Sequence, residues 1–275
     1  MTYDVLGPRA IDYLPCHYGK SKLLFRGPKR QLDEPYVAFV GGTLTFGKFI
    51  KQPFPLRVEH LTGVTSVNFG QVGAGVDVFL RDPVVLEAAQ GARVTVLEVL
   101  GAAHMTNPLY KVHGRRNDRF LGPSTSLKML YPEVDFAEFS FVQHMLGHLY
   151  HVDLQRFEQV KTQLQKVWRR RMARLVGRLG SRVVLVRFGA RAQAGPENGW
   201  TASAGVEPVF VTRAMVEQLH GNVAAVVEVE VAQEGKSTAG LAYCQHEEAA
   251  ARAVAGPAAH QDAADKLRRV LDDLM

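Results

Sequence analysis

The sequence predicts an α/β protein built as a three-layer α/β/α sandwich. Short Val-rich apolar runs recur along the chain, amphipathic stretches separate them, and the first run breaks directly into a Gly/Thr turn. A parallel strand buried on both faces reads as a continuous apolar run. Strands of that kind alternating with helices through right-handed crossovers place helices on both faces of one sheet. Ligands of such sheets collect beyond the carboxyl ends of the strands. The turn after the first run, Gly41-Gly-Thr-Leu-Thr45, therefore marks the expected site.

Residues 1–35 are rich in Tyr, Pro, Gly and Arg without a clean period, and are read as an N-terminal arm packed on the domain, whose Arg26-Gly-Pro-Lys-Arg30 can reach a site. The domain itself is expected over residues 36–275. Its strands are Tyr36 to Val40, Val64 to Phe69, Arg93 to Leu100, Arg182 to Phe188 and Ala224 to Val231, several rich in Val as buried strands should be. Helices are expected at Leu56 to Leu61, at Val76 to Gln90 with a break near Pro83, and at Thr212 to Leu219. A last helix runs from His260 to Leu274.

The connection between the third and fourth strands, about residues 102–180, is long and reads as mostly helical: Ser124 to Leu130, Glu138 to His151 and Leu154 to Leu179. An insertion of that size is expected to carry a lid over the site. Gly189 to Gly205 and Gln233 to Pro257 read as loops, and no internal repeat is visible.

Composition narrows the class. At 47% hydrophobic and 22% charged residues, the chain is that of a folded globular protein. Its net charge of +6 comes from 33 basic against 27 acidic residues, clustered at Lys20 to Arg30, Lys111 to Arg119 and Lys161 to Arg178. Such patches suit phosphate, sulfate or carboxylate ligands, or simply a solvated face. No nucleic-acid module accompanies them, so no nucleic-acid partner is expected. Cys16 and Cys244 form no CxxC or disulfide framework, which suits reduced thiols and a cytoplasmic setting. No secretory leader and no long uncharged run suggest a membrane span.

Four segments then form one pattern: Gly41-Gly-Thr-Leu-Thr45 after the first strand, Asn68-Phe-Gly-Gln-Val-Gly-Ala-Gly75 after the second, Leu100-Gly-Ala-Ala-His-Met-Thr-Asn107 after the third, and His260 at the last helix. Together they resemble the blocks of SGNH (GDSL-like) hydrolases over about Tyr36 to Leu274. The resemblance implies a flavodoxin-like, mostly parallel five-stranded sheet with a helical insertion. It also implies an esterase or O-acyltransferase acting on an acylated polar or anionic substrate, such as a carbohydrate, with no cofactor and no metal.

By position, Thr43 takes the place of the serine nucleophile and Gly42 that of the aspartate beside it. Gly70 or Gly73 matches the second-block glycine, Asn107 the third-block asparagine of the oxyanion hole, and His260 the base. The aspartate expected three residues before the histidine is replaced by Pro257. A hydroxyl nucleophile needs a base within reach and the base needs a partner. Thr45, Ser66 or the hydroxyls from Ser124 to Ser126 are alternative nucleophiles, and Glu247 or Glu248 alternative orienters. A member of this fold that has lost turnover and binds an anion or a carbohydrate is the second reading.

Gly42-Thr-Leu-Thr-Phe-Gly-Lys48 also fits G-x-x-x-x-G-K, the loop whose backbone N–H groups and lysine hold phosphates. Phe49 stands where a magnesium-binding Ser or Thr belongs. Phosphate or sulfate transfer is the third reading. Arg115, Arg116 and Arg119 have the fork geometry for an anionic substrate, with Asp118 an alternative partner for them. His144, His148 and His151 share a helix face without a suitably spaced acid, so no metal site is assigned to them.

Overall fold

The computed structural model describes residues 11–180, 182–190, 208–231 and 237–275. The element order is β1 Tyr36–Gly41, α1 Thr43–Phe46, α2 Phe54–Thr62, β2 Thr65–Gly70, α3 Val76–Leu80, α4 Pro83–Gly91 and β3 Val94–Glu98. The insertion follows: β4 Tyr110–Val112, β5 Phe120–Pro123, α5 Thr125–Leu130, α6 Val142–Val152 and α7 Leu154–Leu179. The chain then gives β6 Val183–Ala190, α8 Arg213–Glu217, β7 Ala225–Val231, α9 Glu248–Arg252 and α10 Pro257–Leu274.

The main sheet has five strands in the order β2-β1-β3-β6-β7, every pair parallel. This is the flavodoxin-like order, whose topological switch point lies between β1 and β3. Side chains along β1 alternate between two cores. Val37 and Phe39 join Phe54 and Val58 of α2 and Ala263, Leu267 and Leu271 of α10. Ala38 and Val40 join Phe79 of α3, Val85 of α4 and Leu164, Trp168 and Leu175 of α7. The fold is thus a three-layer α/β/α sandwich, as the sequence predicts.

The insertion differs from the expectation. Residues Asn107 to Arg119, read as part of a mostly helical connection, contain β4, which pairs antiparallel with β5. Strands of three and four residues, with Lys111 exposed in the first and Leu121 in the second, carry too little apolar pattern to be read locally. The helix expected from Glu138 begins instead at Val142, after a 3-10 turn at Phe136–Glu138. The last helix starts at Pro257 rather than His260, because proline fits the first helical position, where an N–H has no partner to lose. A one-turn helix, α1, follows β1 directly.

The long helix α7 is the crossover from β3 to β6, and its amphipathicity explains its place. Phe157, Val160, Leu164, Trp168, Met172 and Leu175 are buried, while Lys166, Arg169, Arg170, Arg174 and Arg178 face outward. Trp168 Nε1–H donates to Leu100 O at 2.6 Å, and Arg171 donates to both oxygens of the buried Asp77 on α3. Of the N-terminal arm, Tyr18 and Phe25 pack edge-on against Phe69. No helix of the described residues is long and apolar enough to cross a membrane.

Candidate functional site

The carboxyl end of β1 lies at the switch point, and the residue across it is Glu98, the last of β3. Register Val40↔Leu97 brings Gly41 and Gly42 beside its carboxylate. Gly42 N–H, Thr45 N–H and Thr45 Oγ1–H all donate to Glu98 Oε2, at 2.8, 2.9 and 2.6 Å. Glu98 is 8% exposed. Burial pushes its carboxyl above the usual range, and the hydrogen bonds from Thr45 and Gly42 pull it back. The turn can come this close only without a side chain: a Cβ on Gly41 would stand 2.0 Å from Thr45 Oγ1. Gly70 is similarly constrained, since its Cβ would stand 2.2 Å from Phe46 N.

One strand over, Gly73 N–H donates to Thr43 Oγ1 at 3.2 Å. This joins the hydroxyl of the first block to a glycine of the second. Gly73 has φ +71°, a left-handed conformation that favours glycine. The stretch between β4 and β5 docks onto it. Asp118 N–H donates to Gly73 O, and Asn117 Oδ1 accepts from Gly75 N–H. The Asp118 carboxylate lies directly over Gly73, whose Cβ would stand 2.5 Å from Oδ1. Arg116 grips that carboxylate through Nε and Nη2 at 3.1 and 2.8 Å.

His104, half-buried, packs its backbone against Gly75. Burial lowers its imidazole pKa, with Asp118 opposing, so the ring is neutral at pH 7. A cleft of about 390 Å³ opens here, lined by His104, Asp118, Phe141, Gln143 and His144. The Thr43 hydroxyl, held by Gly73 N–H, and the Asp118 carboxylate over Gly73 thus lie beyond the carboxyl ends of β1 and β2, and His104 lines the cleft that Asp118 borders.

The other expected residues are placed elsewhere. His260 is 1% exposed in the first turn of α10. Its ring stacks on Phe54 and lies near Phe188, and Nδ1 accepts from Phe54 N–H at 3.1 Å. Burial, then the charges of Arg57 and Arg26, push its pKa down to about 3. No hydrogen bond joins it to Thr43, Glu247 or Glu248. Glu247 instead pairs with Lys48 at 3.6 Å, and Glu248 with Arg252. Asn107 spends its amide on its own turn, accepting from Leu109 and Tyr110 N–H and donating to Met105 O.

Lys48 lies over the Phe49 ring, and the N–H groups of Gly42 and Thr45 that a phosphate would need already hold Glu98. The helix that follows is one turn long and ends at Gly47 in the left-handed conformation. With the Gly42 and Thr45 donors taken by Glu98, that turn therefore lacks the full set of donors and the helix of a phosphate loop. Arg119 stacks its guanidinium on Phe141, and Arg115 reaches Lys22 O. His144 and His148 pack against Phe139, His151 contacts Gly147 O, and no metal-holding group occurs among the described residues.

Over residues 1–275 the sequence matches the family described as Domain of unknown function (DUF6473). The chain belongs to this family. No curated protein matches it. Among solved structures, the crystal structure of the lipase Lip_vut3 from a goat rumen metagenome is similar, at 12% identity, covering 86% of this chain and 97% of that chain with a TM-score of 0.44. A likeness of that degree leaves fold and chemistry to be argued from the chain's own residues.

Sequence reasoning did not single out Glu98 or His104. Glu98 could have been found as the one charged residue in the strand run from Val94 to Leu100. His104 stands inside the third block, three residues before Asn107, and its imidazole is a polar signal in its own right.

Proposed function

We propose that this chain is a hydrolase-like enzyme that cleaves or transfers an acyl ester of a polar, anionic substrate at the mouth over β1 and β2. The observation that carries the reading is the hydrogen bond from Gly73 N–H to Thr43 Oγ1. It holds the hydroxyl as an acceptor, leaving its own proton to be given up, and it keeps a backbone donor where a carbonyl oxygen can replace it. In this reading Thr43 Oγ1 attacks the ester carbonyl carbon and its proton passes to the neutral imidazole of His104. Gly73 N–H turns to the developing oxyanion, and Asp118 steadies the imidazolium. The protonated His104 releases the alcohol. Water or an acceptor hydroxyl then takes the acyl group from Thr43. Arg115, Arg116 and Arg119 supply affinity for an anionic group, and the insertion over residues 102–180 caps the mouth.

The test is turnover of short-chain p-nitrophenyl esters and O-acetylated acidic sugars by the wild type and by Thr43→Ala. The variant should lose roughly 10²-fold or more in kcat/KM, the order of a missing reacting group. Absence of turnover by the wild type across both panels, or full activity in Thr43→Ala, overturns the reading.

A second reading is favoured by His260, sealed among Phe54 and Phe188, together with Pro257 in place of an orienting acid. A protein of this fold that binds an anionic sugar without turning it over would gain melting temperature with a sulfated sugar and show no hydrolysis.

A further inference from the structure

A second cleft, of about 380 Å³, lies between the N-terminal arm, α2 and the edge strand β2, away from the mouth over Thr43. Arg26, Arg30, Lys51 and Ser66 line it, with apolar surface from Leu14, Pro28, Pro53, Pro55 and Leu56. That volume is in the range of small-molecule pockets.

Its charges do not balance internally. Arg26 is 8% exposed, yet its guanidinium meets no carboxylate within ion-pair distance among the described residues. Its Nη1 donates to Phe46 O and Gly47 O, its Nη2 to Lys51 O, and its flat face covers Tyr13. Carbonyls and a ring supply dipoles but no counter-charge, and a buried cation without an anion is costly. These three bonds leave Nε–H and one Nη2 hydrogen for a further acceptor, and a carboxylate can accept both.

The wall contains two acids. Asp12 Oδ1 accepts from Leu14 N–H at the exposed rim. Glu59 is spent on Arg30 at 2.5 Å and on Ser66 N–H at 2.8 Å. Lys51 is exposed and makes no ion pair among the described residues. Arg26, Arg30 and Lys51 against Asp12 and Glu59 leave one positive charge. Ser66 is 7% exposed, lines the cleft from β2 on the α2 side, and its Oγ has no hydrogen-bond partner. A ligand oxygen would give that hydroxyl the partner it lacks.

We propose that this cleft binds a small monocarboxylate with an apolar tail, the carboxylate against Arg26 and Lys51 and the tail along Pro53, Pro55 and Leu56. A single negative charge leaves the wall neutral, whereas a phosphate dianion would overcharge it and strand its hydration against proline and leucine. Nothing in this proposal depends on catalysis at Thr43.

The experiment is calorimetric titration of the full chain with hexanoate and, separately, with inorganic phosphate. Hexanoate should bind one to one with Kd of about 0.1–1 mM, and Lys51→Ala should weaken it roughly tenfold. Lys51 is exposed, so its variant folds, whereas Arg26→Ala would also free three carbonyls. Ser66→Ala should weaken hexanoate by a smaller factor. No saturable binding of hexanoate, phosphate binding as tightly as hexanoate, or equal affinity in the wild type and Lys51→Ala overturns the proposal. An ester turnover assay on Lys51→Ala separates this cleft from the mouth: activity should persist while hexanoate affinity falls.

Discussion

Thr45 Oγ1 and Glu98 Oε2 stand 2.6 Å apart across the switch point of the sheet, with the Thr45 and Gly42 N–H groups on the same oxygen. A parallel sheet of this order usually offers its ligand a crevice there. In this chain the crevice holds its own carboxylate, which anchors the turn that presents Thr43.

Glu98→Ala should therefore be among the most damaging single changes, because it leaves three buried donors unpaired and a void beside Leu100. We expect a loss of about 3–5 kcal/mol in urea unfolding. Glu98→Gln keeps an acceptor for the same donors and removes a charge that burial disfavours. Its loss should be about 1 kcal/mol or less. Equal destabilisation by the two substitutions would refute the hydrogen-bonding account.

His260 predicts a pH dependence. Its pKa is depressed in the fold to about 3 from an unfolded value of 6.5. Between those values the unfolded chain binds the proton and the folded chain does not, so stability falls as pH falls. The slope should approach 1.4 kcal/mol per pH unit well below pH 6.5, an order-of-magnitude figure. His260→Asn can accept from Phe54 N–H without titrating, and should flatten that component in melts taken from pH 7.5 to pH 4.5. An unchanged slope would mean that other groups carry the acid sensitivity.

Thr43→Ser tests the nucleophile from the other direction. Threonine's extra methyl restricts χ1 and crowds a carbonyl. Its removal should raise kcat/KM by a few-fold where Thr43→Ala abolishes turnover, as read with the same ester panel. A Thr43→Ser enzyme no faster than Thr43→Ala would argue that the methyl, rather than the hydroxyl, is what the site needs.

Gly70→Ala places a Cβ 2.2 Å from Phe46 N, against backbone that cannot swing aside. Overpacking of this kind costs about 1–3 kcal/mol. Thermal melts should show the loss, whereas Gly177→Ala, on the open face of α7 with nothing within 4 Å, should be neutral or stabilising.

Where an element was legible in the sequence, its reason was local. β1 reads as a strand because each of its residues is buried, so its apolar run is unbroken. α7 reads as a helix because its buried and charged positions alternate at helical spacing over 26 residues. The site was less legible because its decisive contacts join distant segments. Nothing near His260 in the chain announces that Phe54, 206 positions away, will close over it. A polar residue just after a Gly-Pro turn looks exposed until the second layer is built. Glu98 was hidden for a related reason: an acid ending a strand looks like a strand terminus, and its donors come from the neighbouring strand's turn.

Asn117 and Asp118 reach Gly75 and Gly73 from the stretch between two short strands, bridging positions 42 residues apart in the case of Asn117 and Gly75. The ground under Thr43 and the wall above it are thus supplied by different stretches of chain that meet only after folding. Exchanging the segment from Tyr110 to Pro123 between members of the family would replace that wall as a unit. Preference for substrate should then shift in blocks that travel with the hairpin, rather than drift residue by residue around the threonine.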